Sequence, residues 1–185
     1  MKRGLVVLSL VGLMCAGVAT ASVQQGDTEL DFLGGFLAQN GDNGAPDVDA
    51  WFLSGALGYF FTDNIQGQVA AMGVWTSMDT GDSGSDADVD VYGIGVRGKY
   101  HFMPTNQWVP YVGAQLMWAT ANIDAGGIDE DVDGTLWGPL AGLRYELNAN
   151  NDFYVEYQYH LWEGDVGDFL NDGHALLVGI IHQFK

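Results

Sequence analysis

Asp129, Asp131, Asp133 and Gly134 of the stretch DEDVDG follow the opening of a calcium loop, D-x-[DN]-x-[DN]-G, whose alternate carboxylates offer the oxygens a hard cation takes. An EF-hand closes with a bidentate glutamate at the loop's last position, and Leu140 stands there. A looser site for loosely bound calcium or magnesium, shared with Asp82, Asp86, Asp88 and Asp90, is the metal expectation that remains. A second set of charges combines three cations, Arg97, Lys99 and Arg144, with Glu29, Asp31, Glu146 and Glu156. Glu146 and Glu156 would suit acid–base work, but beside three cations their expected role is ion pairing. Nucleophilic chemistry has little to draw on. His101, His160, His174 and His182 form no H-x-S pairing with Ser22, Ser54, Ser77, Ser83 or Ser85, so no enzyme is expected.

Elements must position these residues, and the first segment is not one of them. Lys2 and Arg3, the apolar run 4–18 and Ala19-Thr20-Ala21 describe a secretory leader cleaved after Ala21, which leaves 22–185 as one domain. Cys15, the only cysteine, leaves with the leader, so no disulfide is expected. All 24 acidic residues then face four bases, Arg97, Lys99, Arg144 and Lys185. That balance excludes nucleic acid as a partner and direct pairing with anionic surfaces. No later stretch supplies the 18 or so apolar residues of a membrane helix, so a membrane location requires a β-barrel.

The residues between follow a period of two. In VYGIGVRGKYHF, Tyr92, Ile94, Val96, Tyr100 and Phe102 alternate with Val91, Arg97, Lys99 and His101. Similar alternation predicts strands near 28–39, 50–61, 65–76, 91–102, 108–119, 136–147, 152–162 and 174–184. Each has about the ten residues a tilted membrane strand needs. Short turns follow the second, fourth and sixth strands. Long acidic Gly/Asp loops, 40–49, 77–90, 120–135 and 163–173, follow the others. The pattern predicts an all-β, eight-stranded antiparallel up-and-down transmembrane barrel, with extracellular loops and periplasmic termini.

One face of each strand is apolar with aromatic ends: Trp51, Trp75, Tyr92, Trp118 and Trp137 toward the loops, and Phe61, Tyr100, Phe102, Trp108, Tyr145, Phe153 and Phe184 toward the turns. Two aromatic girdles around an aliphatic band describe a lipid-facing wall. The other face carries the charges and must line the lumen. A slip of one residue would put Arg97, Lys99 and Arg144 in lipid, at about 2–4 kcal/mol each near the midplane. The expected luminal ion-pair network is Glu29, Asp31, Arg97, Lys99, Arg144, Glu146 and Glu156, toward the turn end. Toward the loop end, Leu37, Phe52, Met72, Met117, Leu136 and Trp162 form an expected apolar cup.

The chain resembles the small eight-stranded outer-membrane proteins, in particular the OmpA-like transmembrane domain. The resemblance rests on ALGYFFTDN (56–64), GVRGKYHF (95–102), VPYVGAQL (109–116), GLRYELN (142–148), FYVEYQY (153–159) and LLVGIIHQF (176–184). It implies acid–base pairs across the lumen and a last strand read by the barrel assembly machinery. Lys185 departs from the family's aromatic end, and no periplasmic domain is expected to follow. The expected function is a non-enzymatic structural and surface-interaction role in the outer membrane, with a charge-paired lumen, acidic loops and no cofactor. The expected partners are membrane lipid, lipopolysaccharide bridged by divalent cations, and an extracellular ligand or surface met by a monomer. The alternative is a narrow channel or carrier for small or apolar solutes.

Overall fold

The computed structural model describes residues 23–39, 47–79, 87–125, 128–168 and 172–184. The expected leader 1–21, Asp82, Asp86 and Lys185 lie outside the described residues; for Leu37 and Asp129 only the backbone is described. Eight strands follow in chain order: β1 Thr28–Gln39, β2 Asp47–Phe60, β3 Ile65–Asp79, β4 Ala87–His101, β5 Trp108–Ala125, β6 Ile128–Asn148, β7 Asn151–Gly164 and β8 Asp172–Phe184. Each pairs antiparallel with its neighbours, and Thr28–Gly34 of β1 pairs with Val178–Phe184 of β8 to close the barrel. Over that span closure removes the free strand edge, which lipid would not tolerate, while residues 35–39 and 172–177 pair on one side only.

Parity decides the rest. Leu53, Leu57, Val69, Ile94, Val96, Val112, Leu116, Leu143, Val178 and Ile180 are exposed on the outer wall. Glu29, Asp31, Arg97, Lys99, Arg144, Glu146 and Glu156, each on the opposite parity, are at most 5 % exposed. The lumen of an eight-stranded barrel is just wide enough for side chains to fill, so bulky residues face glycines. A Cβ on Gly142 would lie 2.3 Å from the Tyr111 ring, and one on Gly179 would lie 2.5 Å from Tyr154. Gly142→Val is therefore expected to overpack the lumen and cost about 1–3 kcal/mol, read as a lower urea midpoint of refolding into vesicles. Gly98→Val, where nothing lies within 4 Å, should change that midpoint little.

The loop end differs from expectation. Within the stretches 77–90 and 120–135 every described residue is strand, because β3 and β4 run on to Asp79 and back from Ala87, and β5 and β6 continue to Ala125 and from Ile128. Their inward residues explain the extension. Val91, Ala119, Ala121 and Val132 are buried together, and Val89 and Ile123 pack against them. The alternation therefore continues past the girdle, with Asp88, Asp90, Asp124, Asp131 and Asp133 on the outward positions and Glu130 on the inward parity of Val132. Seven residues beyond Trp118 make roughly 23 Å of strand at 3.3 Å per residue. In the stretch 163–173, β7 runs to Gly164 and turns there at φ +81°, which favours glycine. A 3-10 turn, Asp165–Asp168, follows and drives Val166 into the same apolar cluster.

The turn end has a floor. The segment before β1 crosses the mouth, with the Val23 N–H donating to the Pro104 carbonyl at 3.2 Å and the Gly26 N–H to Phe60 at 2.9 Å. Val23 and Phe60 are buried there, and Phe60 packs on His101 with ring centroids 5.1 Å apart.

Candidate functional site

The lumen holds its polar groups in three tiers, each centred on one cation. In the lowest, the Arg144 guanidinium donates to Glu29 at 2.9 Å and also to Asp152. Gln66 donates to the other oxygen of Glu29, and Gln183 donates to Asp152 at 2.8 Å. Glu146 is buried nearby, opposite Asp152 in the register. In the middle tier, Lys99 Nζ lies 3.2 Å from Glu156 and 3.5 Å from Asp31. Tyr111 and Gln158 donate to the two oxygens of Glu156, at 2.8 and 2.6 Å, and Gln68 donates to Asp31 at 2.6 Å. The ammonium also sits 4.9 Å from the Tyr111 ring centre and 5.4 Å from that of Tyr154, within cation–π range.

The upper tier corrects one expectation. Arg97 is buried, yet no carboxylate among the described residues pairs with it. Its Nη2 donates to the Ser54 hydroxyl at 3.0 Å, which in turn donates to the Ala71 carbonyl. Two rungs above Lys99 on the same face of β4, Arg97 has Gln68 and Gln115 as register partners, where acids would be needed. His160 and Gln115 meet at the Gln158 carbonyl oxygen, 2.7 and 3.3 Å away.

The lower tiers also use residues the sequence reading did not single out. Asp152 is a second carboxylate for Arg144, and its inward position follows from the parity of Tyr154 and Glu156. It stands first in the expected strand 152–162, and only its pairing with Arg144 marks it as part of the network. Tyr111 and Tyr154 read as ordinary barrel aromatics, although their parity already set them apart from the girdles.

Above Arg97 the lumen is apolar. Met72, Met117 and Leu136 are buried, with Phe52 and Trp162 half-buried against them. At 0 % exposure, Met117 and Leu136 leave the cup filled by its own side chains. The proposed metal ligands fare differently. Residues 129–134 lie in β6, so Asp129, Asp131 and Asp133 stand at every second position of an extended strand, not in a loop. Same-face residues in a strand are about 6.6 Å apart, and calcium needs oxygens at 2.3–2.6 Å. Asp133 accepts from Thr120 at 2.7 Å, and no three acidic, histidine or cysteine side chains converge as a metal site among the described residues. Below this ladder, Tyr92, Ile94, Trp118, Thr120 and Asp133 line an open recess of about 520 Å³ in the outer wall. His182 faces outward at the turn end, bonded to Asn151 at 2.9 Å.

Known structures share this architecture. Neisserial surface protein A is 20 % identical with a TM-score of 0.60, over 85 % of this chain and 96 % of that one. The N-terminal β-barrel domain of Pseudomonas aeruginosa OprF is 19 % identical with a TM-score of 0.58, over 86 % and 98 %. The outer membrane protein OprG of the same organism is 15 % identical with a TM-score of 0.53, over 88 % and 98 %. No curated protein matches the chain. Residues 6–184 match the model of the outer membrane protein beta-barrel domain, and with closure, girdles and a charged lumen in place the chain belongs to that outer-membrane family.

Proposed function

We propose that this barrel is a non-enzymatic structural element whose lumen is plugged and whose acidic rim meets the cell exterior. The observation that carries the reading is the pair of buried cations, Lys99 and Arg144, each bonded to two carboxylates from other strands. These bonds tie β4 to β1 and β7, and β6 to β1, across the bore, and β6 to its neighbour β7. Val23 and Phe60 seal the lumen below, and Met117, Leu136 and Val166 fill it above. Proteoliposomes carrying the chain should swell no faster in a small sugar than protein-free vesicles. Swelling at porin-like rates would favour the channel reading.

The rim supports contact with lipopolysaccharide. Asp88, Asp124, Glu130, Asp131, Asp133, Glu163, Asp165 and Asp172 are exposed at the loop end, while Arg97, Lys99 and Arg144 are all buried. Phosphate groups can approach such a rim only through shared divalent cations. The outer-wall recess joins Asp133 to the aromatic girdle, where a lipid headgroup meets its chains. Binding to lipopolysaccharide vesicles should therefore fall at least tenfold with chelator and return with magnesium. Chelator-insensitive binding would reject the bridge. A second reading, a carrier for apolar solutes, is favoured by the apolar upper lumen that begins above Arg97.

A further inference from the structure

Of the three buried cations, Lys99 and Arg144 each hold two carboxylates and Arg97 holds none among the described residues. Arg97 is 3 % exposed, and beyond its bond to Ser54 its Nε and Nη1 have no hydrogen-bond partner. Burying N–H donors without an acceptor is costly. Nε and Nη1 lie on different edges of the guanidinium, so each can donate singly to a carboxylate oxygen. Toward the loop end, the next two inward positions of β4 are Gly95 and Gly93, so no side chain of that strand stands between Arg97 and Val91. Met72 covers this strip, with its Cε 3.1 Å from where a Gly93 Cβ would lie. Met117 and Leu136 complete the apolar surround. Methionine is unbranched and repacks readily around a guest chain.

We infer that the upper lumen binds an alkyl carboxylate, with its head on Arg97 and its chain replacing the packing of Met72 and Met117. The inference builds on the apolar-carrier reading and gives that reading a ligand class. One carboxylate head gives the guanidinium an acceptor it lacks, and a single chain fits a bore that an eight-stranded barrel keeps narrow. The carboxylate tiers lie below, so the plug can stay shut while the upper site fills.

The test uses the refolded full chain, labelled with ¹⁵N-arginine, in phosphatidylcholine nanodiscs. Arg97→Lys assigns the Arg97 Nε–H resonance by its disappearance. Titration with sodium decanoate should move that resonance saturably and leave the Arg144 resonance in place. Decanol, which lacks the carboxylate, and acetate, which lacks the chain, should each need at least tenfold higher concentration for the same shift. Arg97→Met, checked for folding by heat-modifiable gel mobility, should weaken decanoate binding at least tenfold by calorimetry. An unmoved Arg97 signal, an equal response to acetate, or an equal response to decanol would each overturn the inference. Bilayer current reads the plug separately, so a silent lumen with an unmoved Arg97 signal leaves the plug standing and removes only this site.

Discussion

Arg144→Met should lower the stability of the refolded barrel by about 3–5 kcal/mol, measured as the shift in urea midpoint between folded and unfolded forms in vesicles. The loss comes from what stays behind. Glu29 and Asp152 would stay buried without Arg144, the cation they share. Gln66 and Gln183 would still donate to them, but neutral donors do not replace the lost cation. The same arithmetic predicts a rescue. Adding Glu29→Gln and Asp152→Asn to Arg144→Met removes the stranded charges together, and neutral replacements of whole buried ion groups are often near neutral in stability. Most of the loss should return in the triple variant. If Arg144→Met alone changes the midpoint by less than about 1 kcal/mol, the lowest tier behaves like a solvated surface pair and the lumen is wet.

The outer wall carries the second large effect. Val69 lies mid-strand on the lipid face, 60 % exposed and paired with Leu57 and Val96. Val69→Arg should cost about 2–4 kcal/mol, the penalty for a cation near the bilayer midplane. Ile65→Arg, four residues toward the turn end on the same face, should cost about 0–1 kcal/mol, because the guanidinium there reaches the interface. A depth-dependent pair of losses identifies the face as lipid-facing. Equal losses at both positions would contradict the placement of the wall in the membrane.

How far the sequence reaches can be judged from individual residues. Strand parity is a local property, so the alternation around Arg97 and Lys99 was enough to assign faces, and eight such segments were enough for the barrel. Pairing is not local. Whether Arg97 or Lys99 reaches Glu156 depends on the stagger between β4 and β7, which are not neighbours in the sheet. The tier that each cation joins is therefore invisible in either segment alone. Asp152 was hidden for a related reason. It heads the expected strand 152–162 with the parity of Glu156, but its partner Arg144 depends on how β6 pairs with β7. The long loops were misread because acidic composition resembles a loop whichever way the residues point. In 120–135, Ala121, Ile123 and Val132 carry the inward pattern, and the aspartates occupy the alternate positions. That reading also turned an extended ladder of aspartates into a calcium loop.

The central claim is a closed lumen, and ion conductance of the refolded chain in a planar bilayer tests it most directly. The account predicts no steps above the lipid baseline for the unmutated chain. Truncating Lys99 and Arg144 together to alanine, which strips both lower tiers of their cations, should bring brief steps. Steady steps from the unmutated chain would contradict the plug, make the ion-pair tiers the wall of a hydrated pore, and move the channel reading to first place.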